Sequence, residues 1–168
     1  MLAKLLVETL VIWALFFLYV WLSTVPLGPV GGAFYYEQDI QDRLVELGLI
    51  TRERIERRRR IAVASGIVAM LAVLFVCVCV INGARRYLDI VWQTYVLFIL
   101  MELFDCVAID TWWVALSGWW DIPGTEDLRA SYKDWRAHMR AKLPRICLGG
   151  IPLSFILGGL FWLVAHML

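Results

Sequence analysis

The chain has 168 residues, 61% of them hydrophobic, with a mean hydropathy of +0.72 and a formal net charge of +1. That is more apolar surface than a water-soluble domain of this length uses, and several runs reach the ~20 apolar residues a helix needs to cross a bilayer. The charges nearly cancel and fall almost entirely in two blocks, which excludes a nucleic-acid partner chosen by overall charge; the basic run at 57–60 reads as topology information instead.

Residues 5–22 make the first apolar segment. Lys4 ahead of it imitates the start of a signal peptide. However, Ser23, Thr24, Val25 and Pro26 hold no small-x-small cleavage site, and Trp13, Phe16, Phe17, Tyr19 and Trp21 are bulky for a signal core, so the segment is expected to remain as a span. Glu8 interrupts it and, if deep, needs a partner. Two prolines and three glycines within 26–32 predict a bent connector. Phe34, Tyr35 and Tyr36 then supply aromatics suited to a bilayer surface. Over 37–60, Ile40, Leu44, Leu47, Leu49 and Ile55 recur at helical spacing among charges. This predicts two amphipathic helices on or near the membrane surface, broken at Gly48, the second capped by the Thr51 hydroxyl, with the charges on a solvated face.

Residues 61–81 form the second span, Asn82 and Gly83 a turn, 88–108 the third span and 146–166 the fourth. In the fourth, Gly150, Ser154 and Gly158 fall at i, i+4 and i+8, a small-residue stripe for helix packing. The four cysteines, Cys77, Cys79, Cys106 and Cys147, lie in or beside apolar runs with neither CxxC nor zinc spacing, and read as small buried hydrophobes. Basic residues crowd 23–60 (Arg43, Arg52, Arg54 and 57–60) and 109–145 (Arg129, Lys133, Arg136, Arg140, Lys142, Arg145), against Lys4, Arg85 and Arg86 elsewhere. The positive-inside rule then puts both loops in the cytoplasm and both termini outside, in a multi-pass protein of the cytoplasmic (inner) membrane. The expected fold is all-α and polytopic: one unit, 1–168, of four transmembrane helices with amphipathic interfacial helices in cytoplasmic loops 23–60 and 109–145. Its first partner is the lipid bilayer, and no nucleic acid is expected.

The chemistry concentrates in 101–140. Glu102 and Asp105 are three apart on one helix face, and Asp110 lies about 80° around from Glu102 at the α-helical period. Counting from Leu88, Glu102 is about 21 Å into the span by the helical rise, with Asp105 and Asp110 nearer the cytoplasmic interface. Carboxylates facing a low-dielectric region need a cation, a proton or a basic partner. Trp112, Trp113, Trp119 and Trp120 suit an aromatic belt there. The run 123–127 predicts a turn into a helix with Thr125 at its N-cap, on which Asp127, Ser131, Asp134, His138 and Lys142 share a related face. Asp134 and His138 at i, i+4 can orient an imidazole, form a metal pair or act as acid and base. The candidate ligand or metal site is therefore Glu102, Asp105, Asp110, Asp134 and His138, which allows a divalent metal, with Arg136 and Arg140 as anion or head-group contacts. Catalytic residues are unassigned: the chain has no Gly-rich phosphate loop, no GxSxG and no HExxH.

The patterns D-x(4)-D-x-W at 105–112, P-G-T-E-D at 123–127 and Y-x-D-x(3)-H-x-R at 132–140, followed by a glycine-containing final span, resemble an uncharacterised family of small bacterial four-span integral membrane proteins. The resemblance covers mainly the second half, from Glu102 onwards, and implies no activity. Three functions compete. The first is an acidic/His site at the cytoplasmic interface for a small ligand, lipid head group or cation, with membrane-embedded catalysis as its extension. The second is a proton- or cation-coupled transporter or channel component, built as a homo-oligomer through the Gly150/Ser154/Gly158 face. The third is an accessory or scaffold subunit whose block 37–60 binds lipid or a membrane partner.

Overall fold

Backbone N–H and C=O groups find no partner in hydrocarbon, so an apolar run that crosses it must satisfy them within itself, and helices do this. The computed structural model describes residues 2–167; Met1 and Leu168, the ends of the 1–168 unit, lie outside the described residues. The helices are α1 (Leu2–Thr24), α2 (Gln38–Glu46), α3 (Arg52–Ile81), α4 (Tyr87–Leu116), α5 (Arg129–Lys133) and α6 (Trp135–Met167), with short helical turns in the connectors and no strand among the described residues. α1, α3, α4 and α6 are long and apolar enough to cross a membrane. The fold is all-α, with four helices that have the length and composition of membrane spans.

The helices alternate in direction. The Lys4 ammonium donates to the Ile81 carbonyl at 2.6 Å, and the Tyr19 hydroxyl donates to the Ala62 carbonyl, so α1 and α3 are antiparallel. Trp13 donates to the Leu100 carbonyl at 2.9 Å and stacks on Phe104, which sets α1 parallel to α4. Tyr87 donates to the Phe155 carbonyl at 3.1 Å, near the start of α4 and late in α6. One end of the bundle therefore holds the turn at 82–86 with the start of α1 and the end of α6, and the other end holds both long loops. Two apolar cores follow: Leu74, Val78, Ile90, Leu97 and Phe161 at the turn end, and Val20, Ile40, Leu44, Ile55, Ile109, Trp113 and Trp120 at the loop end. Leu6, Val68, Leu148 and Ile156 stay exposed on the outside, as suits helices whose solvent is lipid.

The small-residue stripe packs inside this bundle. Gly150 lies against Tyr95 and Phe98, and a Cβ at Gly158 would sit 2.5 Å from Val91 Cγ2. The stripe thus meets α4 of the same chain, where only hydrogen at Gly158 lets the two backbones approach so closely.

The long loops interlock into a layer over their end of the bundle. Gly48 breaks the first block at φ +70°, and Thr51 Oγ1 caps α3 by accepting from the Arg54 N–H, both as expected. The second amphipathic helix of the block is the start of α3 and runs unbroken into the span. The apolar face of α2 is occupied by protein, with Ile40 and Leu44 fully buried. Arg43 donates to the Gly124 carbonyl at 3.1 Å and to Asp127 at 3.0 Å, and the Tyr36 hydroxyl donates to the Trp120 carbonyl at 2.7 Å. Ser131 donates to Asp39 at 2.9 Å. Arg58, from the basic run, turns back to the Ser23 and Gly31 carbonyls. The tryptophans depart from a lipid-facing belt: Trp112 is exposed, whereas Trp113 and Trp120 are buried against each other, because the loop layer gives their rings more apolar surface than the interface does.

Candidate functional site

The local winding of α4 decides which carboxylates meet. Tyr87–Phe104 is α-helical, and Asp105–Leu116 continues as a π-helix. In an α-helix, residues five apart point about 140° away from one another. In the wider i→i+5 winding they stack. Asp105 and Asp110 therefore face α6 together, and the Thr111 hydroxyl follows the same interval by donating to the Cys106 carbonyl at 2.8 Å. Lys142 of α6 places its ammonium between them, bonded to Asp105 Oδ2 and, at 2.8 Å, to Asp110 Oδ2. The side chains of Asp105, Lys142 and Asp110 are 18%, 30% and 36% exposed, so the group is largely withdrawn from solvent. Two carboxyl groups share one ammonium, so by formal charge the acids outnumber the base.

These residues form one wall of a cavity of about 310 Å³ beneath the loop layer. Tyr35, Tyr36, Trp120, Tyr132 and Trp135 give it aromatic sides. Glu37 and His138 lie on the same wall system, with His138 Nε2 3.7 Å from a Glu37 oxygen. Three acidic residues, Glu37, Asp105 and Asp110, and one lysine, Lys142, line the cavity with His138. Trp120 is 2% exposed, and its indole N–H is buried without a hydrogen-bond partner. Burial raises the pKa of the Tyr35 phenol and pushes that of Tyr36 well above the ordinary tyrosine range.

The five residues grouped from sequence divide. Asp105, Asp110 and His138 line this cavity, and Glu102 and Asp134 do not. Asp134 lies in the break between α5 and α6, at φ −79° and ψ 70°. Its carboxylate accepts the Ala137 N–H at 3.0 Å, which caps α6, and its backbone carbonyl lies 3.0 Å from His138 Nδ1. The expected Asp134/His138 side-chain pair gives way to a helix cap, because the spacing places Asp134 where free N–H groups need an acceptor. Thr125 likewise does not cap the following turn: its buried hydroxyl donates back to the Ile122 carbonyl at 2.8 Å, and Glu126 takes the Gly124 N–H. Arg136 lies over the Trp135 ring and joins Arg140 on a separate outer depression, away from the acidic cavity. Lys142 is the residue whose role the sequence hid: its face was legible, its position between two aspartates was not.

Glu102 lines a second cavity, of about 370 Å³, between α1 and α3. Its walls are mostly apolar, with Ile12, Met70 and Met101 deep and Arg59 at the loop end. Phe16, Tyr19 and Tyr35 belong to both cavities.

A divalent metal does not suit the arrangement. Among the described residues no three His, Cys, Asp or Glu side chains converge as a metal-binding group. The oxygens best placed to ligate one already hold the Lys142 ammonium, which an entering ion would have to displace. No protein-family model, curated protein or solved structure matches the chain.

Proposed function

We propose that this is a multi-pass protein of the cytoplasmic membrane, with both long loops on the cytoplasmic side, that binds the positively charged group of a small molecule in the cavity beneath those loops. One observation carries the reading: Asp105 and Asp110 share a single ammonium in the wall of a cavity whose other sides are aromatic. A surplus carboxylate away from bulk water attracts a cation, and tyrosine and tryptophan faces add cation–π attraction without competing for the charge. Orientation rests on the basic residues, which gather in the two loops that share one end of the bundle.

The test is binding of tetramethylammonium, at up to millimolar concentration, to the purified protein in maltoside micelles, read by tryptophan fluorescence. Saturable binding by the native protein, weakened at least tenfold in a folded Asp110→Asn variant, is the expected result. Identical titrations of the two proteins would sink the reading.

A second reading, cation or proton movement through the bundle, is favoured by the distribution of acids. Glu8 is 6% exposed at the turn end, accepting from Asn82 at 3.1 Å with its other oxygen unpartnered, while Glu102 lies further along and Asp105 and Asp110 at the loop end. Ion flux in liposomes that falls in Glu102→Gln supports this reading, and flux indifferent to that substitution removes it.

A further inference from the structure

The acidic cavity and the apolar groove meet. Phe16 and Tyr19 of α1 and Tyr35 of the connector line both, so the groove ends where the cavity begins. On α3 the trough is made by small residues: Ala62, Gly66 and Ala69 line it at i, i+4 and i+7, and Gly66 leaves room for the Tyr19 ring, whose hydroxyl would lie 3.2 Å from a Cβ there. From Ala62 to Val73 the trough runs about 16 Å along the helix by the α-helical rise. It opens on the outer face of the bundle, where Leu15, Val63 and Ile67 are exposed to the hydrocarbon.

We infer that the two cavities are one site for an amphipathic cation, with an aliphatic chain in the α1/α3 groove and a positively charged head, of the quaternary or protonated amine class, beside Asp105 and Asp110. The inference rests on the function proposed above and adds the chemistry of the rest of the ligand. Charge complementarity selects this occupant over a membrane lipid resting on the outside. The groove carries one residue of each charge, Glu102 and Arg59, and leads to a head site lined by three acidic residues, Glu37, Asp105 and Asp110, with Lys142 and His138. An anionic lipid head seated in that cavity would face Glu37, Asp105 and Asp110. An aliphatic chain replaces exposed side-chain contacts with hydrocarbon in a volume of about 370 Å³, and the aromatic cavity takes the head. Entry is sideways from the bilayer, through the exposed edge between α1 and α3.

The experiment compares tetramethylammonium with decyltrimethylammonium on the full chain in maltoside micelles, where partition of the longer probe is common to every variant. Ala69→Phe fills the trough and Ile67→Trp covers its outer edge; each is taken forward if its melting transition is retained. The expected result is at least a tenfold loss of decyltrimethylammonium binding in either variant, with tetramethylammonium binding unchanged. If both probes bind both groove variants as they bind the native protein, the chain does not lie in the groove; this inference is overturned and the head site stands. If tetramethylammonium shows no saturable binding to the native protein, the head site itself fails and takes this inference with it.

Discussion

Lys142 makes clear what a single residue contributes here. Removing it leaves Asp105 and Asp110 facing each other across a partly buried space without their shared cation. Breaking a fully buried pair costs about 3–5 kcal/mol and an exposed one about 0–1, so for side chains roughly a third exposed we expect Lys142→Met to cost about 2 kcal/mol. Melting in micelles should show this as a lowered transition that Asp105→Asn, added to Lys142→Met, partly restores; a double variant less stable than the single one would contradict the account. Tyr36 gives a pH dependence. Its hydroxyl is buried and donates to the Trp120 carbonyl, so its folded pKa is raised above the ordinary 10.0. A raised tyrosine contributes stability that is complete below pH 10 and is lost as the pH climbs from there towards the folded value, because only the unfolded chain releases its proton. Tyr36→Phe should cost about 1 kcal/mol at neutral pH, the worth of one hydrogen bond, and should flatten the alkaline fall in stability. An unchanged alkaline limb would assign that fall to other groups.

At the scale of the element, the winding of α4 and the packing of α6 govern the site. The π-helical stretch Asp105–Leu116 turns two aspartates to one side, and α6 must lie close enough for Lys142 to reach them. That closeness is set further along α6, where Gly158 meets Val91 and Gly150 meets the rings of Tyr95 and Phe98. Gly158→Leu should therefore separate the helices and cost about 3 kcal/mol, at the upper end of overpacking penalties. If the separation reaches Lys142, tetramethylammonium binding falls as well; a variant as stable as the native protein would show that the helices part without strain. The start of α6 depends on Asp134. Asp134→Ala should cost about 1 kcal/mol as a lost cap and leave binding unchanged, which separates a capping role from a ligand role.

For the whole molecule, the alternation of helices puts loops 25–51 and 117–134 at one end and the turn 82–86 at the other. Cysteines introduced at Glu46 and Glu126, in a background without the native cysteines, should be labelled from the same side of an intact membrane, and one at Arg86 from the opposite side. Labelling of the first two from opposite sides would break the topology. The Arg43 contacts with Gly124 and Asp127 join the two loops, and without them the cavity would lose its cover. Arg43→Ala should then weaken head-group binding while the spans remain inserted, which protease protection of the helices would report.

Hydropathy and turn chemistry alone determined the number of long helices, the break at Gly48, the Thr51 cap and the small-residue face of α6, because each follows from a local period or a local steric demand. The acids between 102 and 110 were legible as unusual for the same reason: charge in an apolar run is costly wherever the run ends up. Their grouping was legible only in part. At 100° per residue Glu102, Asp105 and Asp110 share one broad face, whereas the π-helical segment keeps Asp105 with Asp110 and leaves Glu102 in the groove. The Asp134/His138 spacing fitted a pair and formed a cap, because the chain breaks where a helix begins. Lys142 between two aspartates, the burial of Trp113 and Trp120, and the junction of cavity and groove depend on segments far apart in the chain. Only tertiary packing decides which of them share a space.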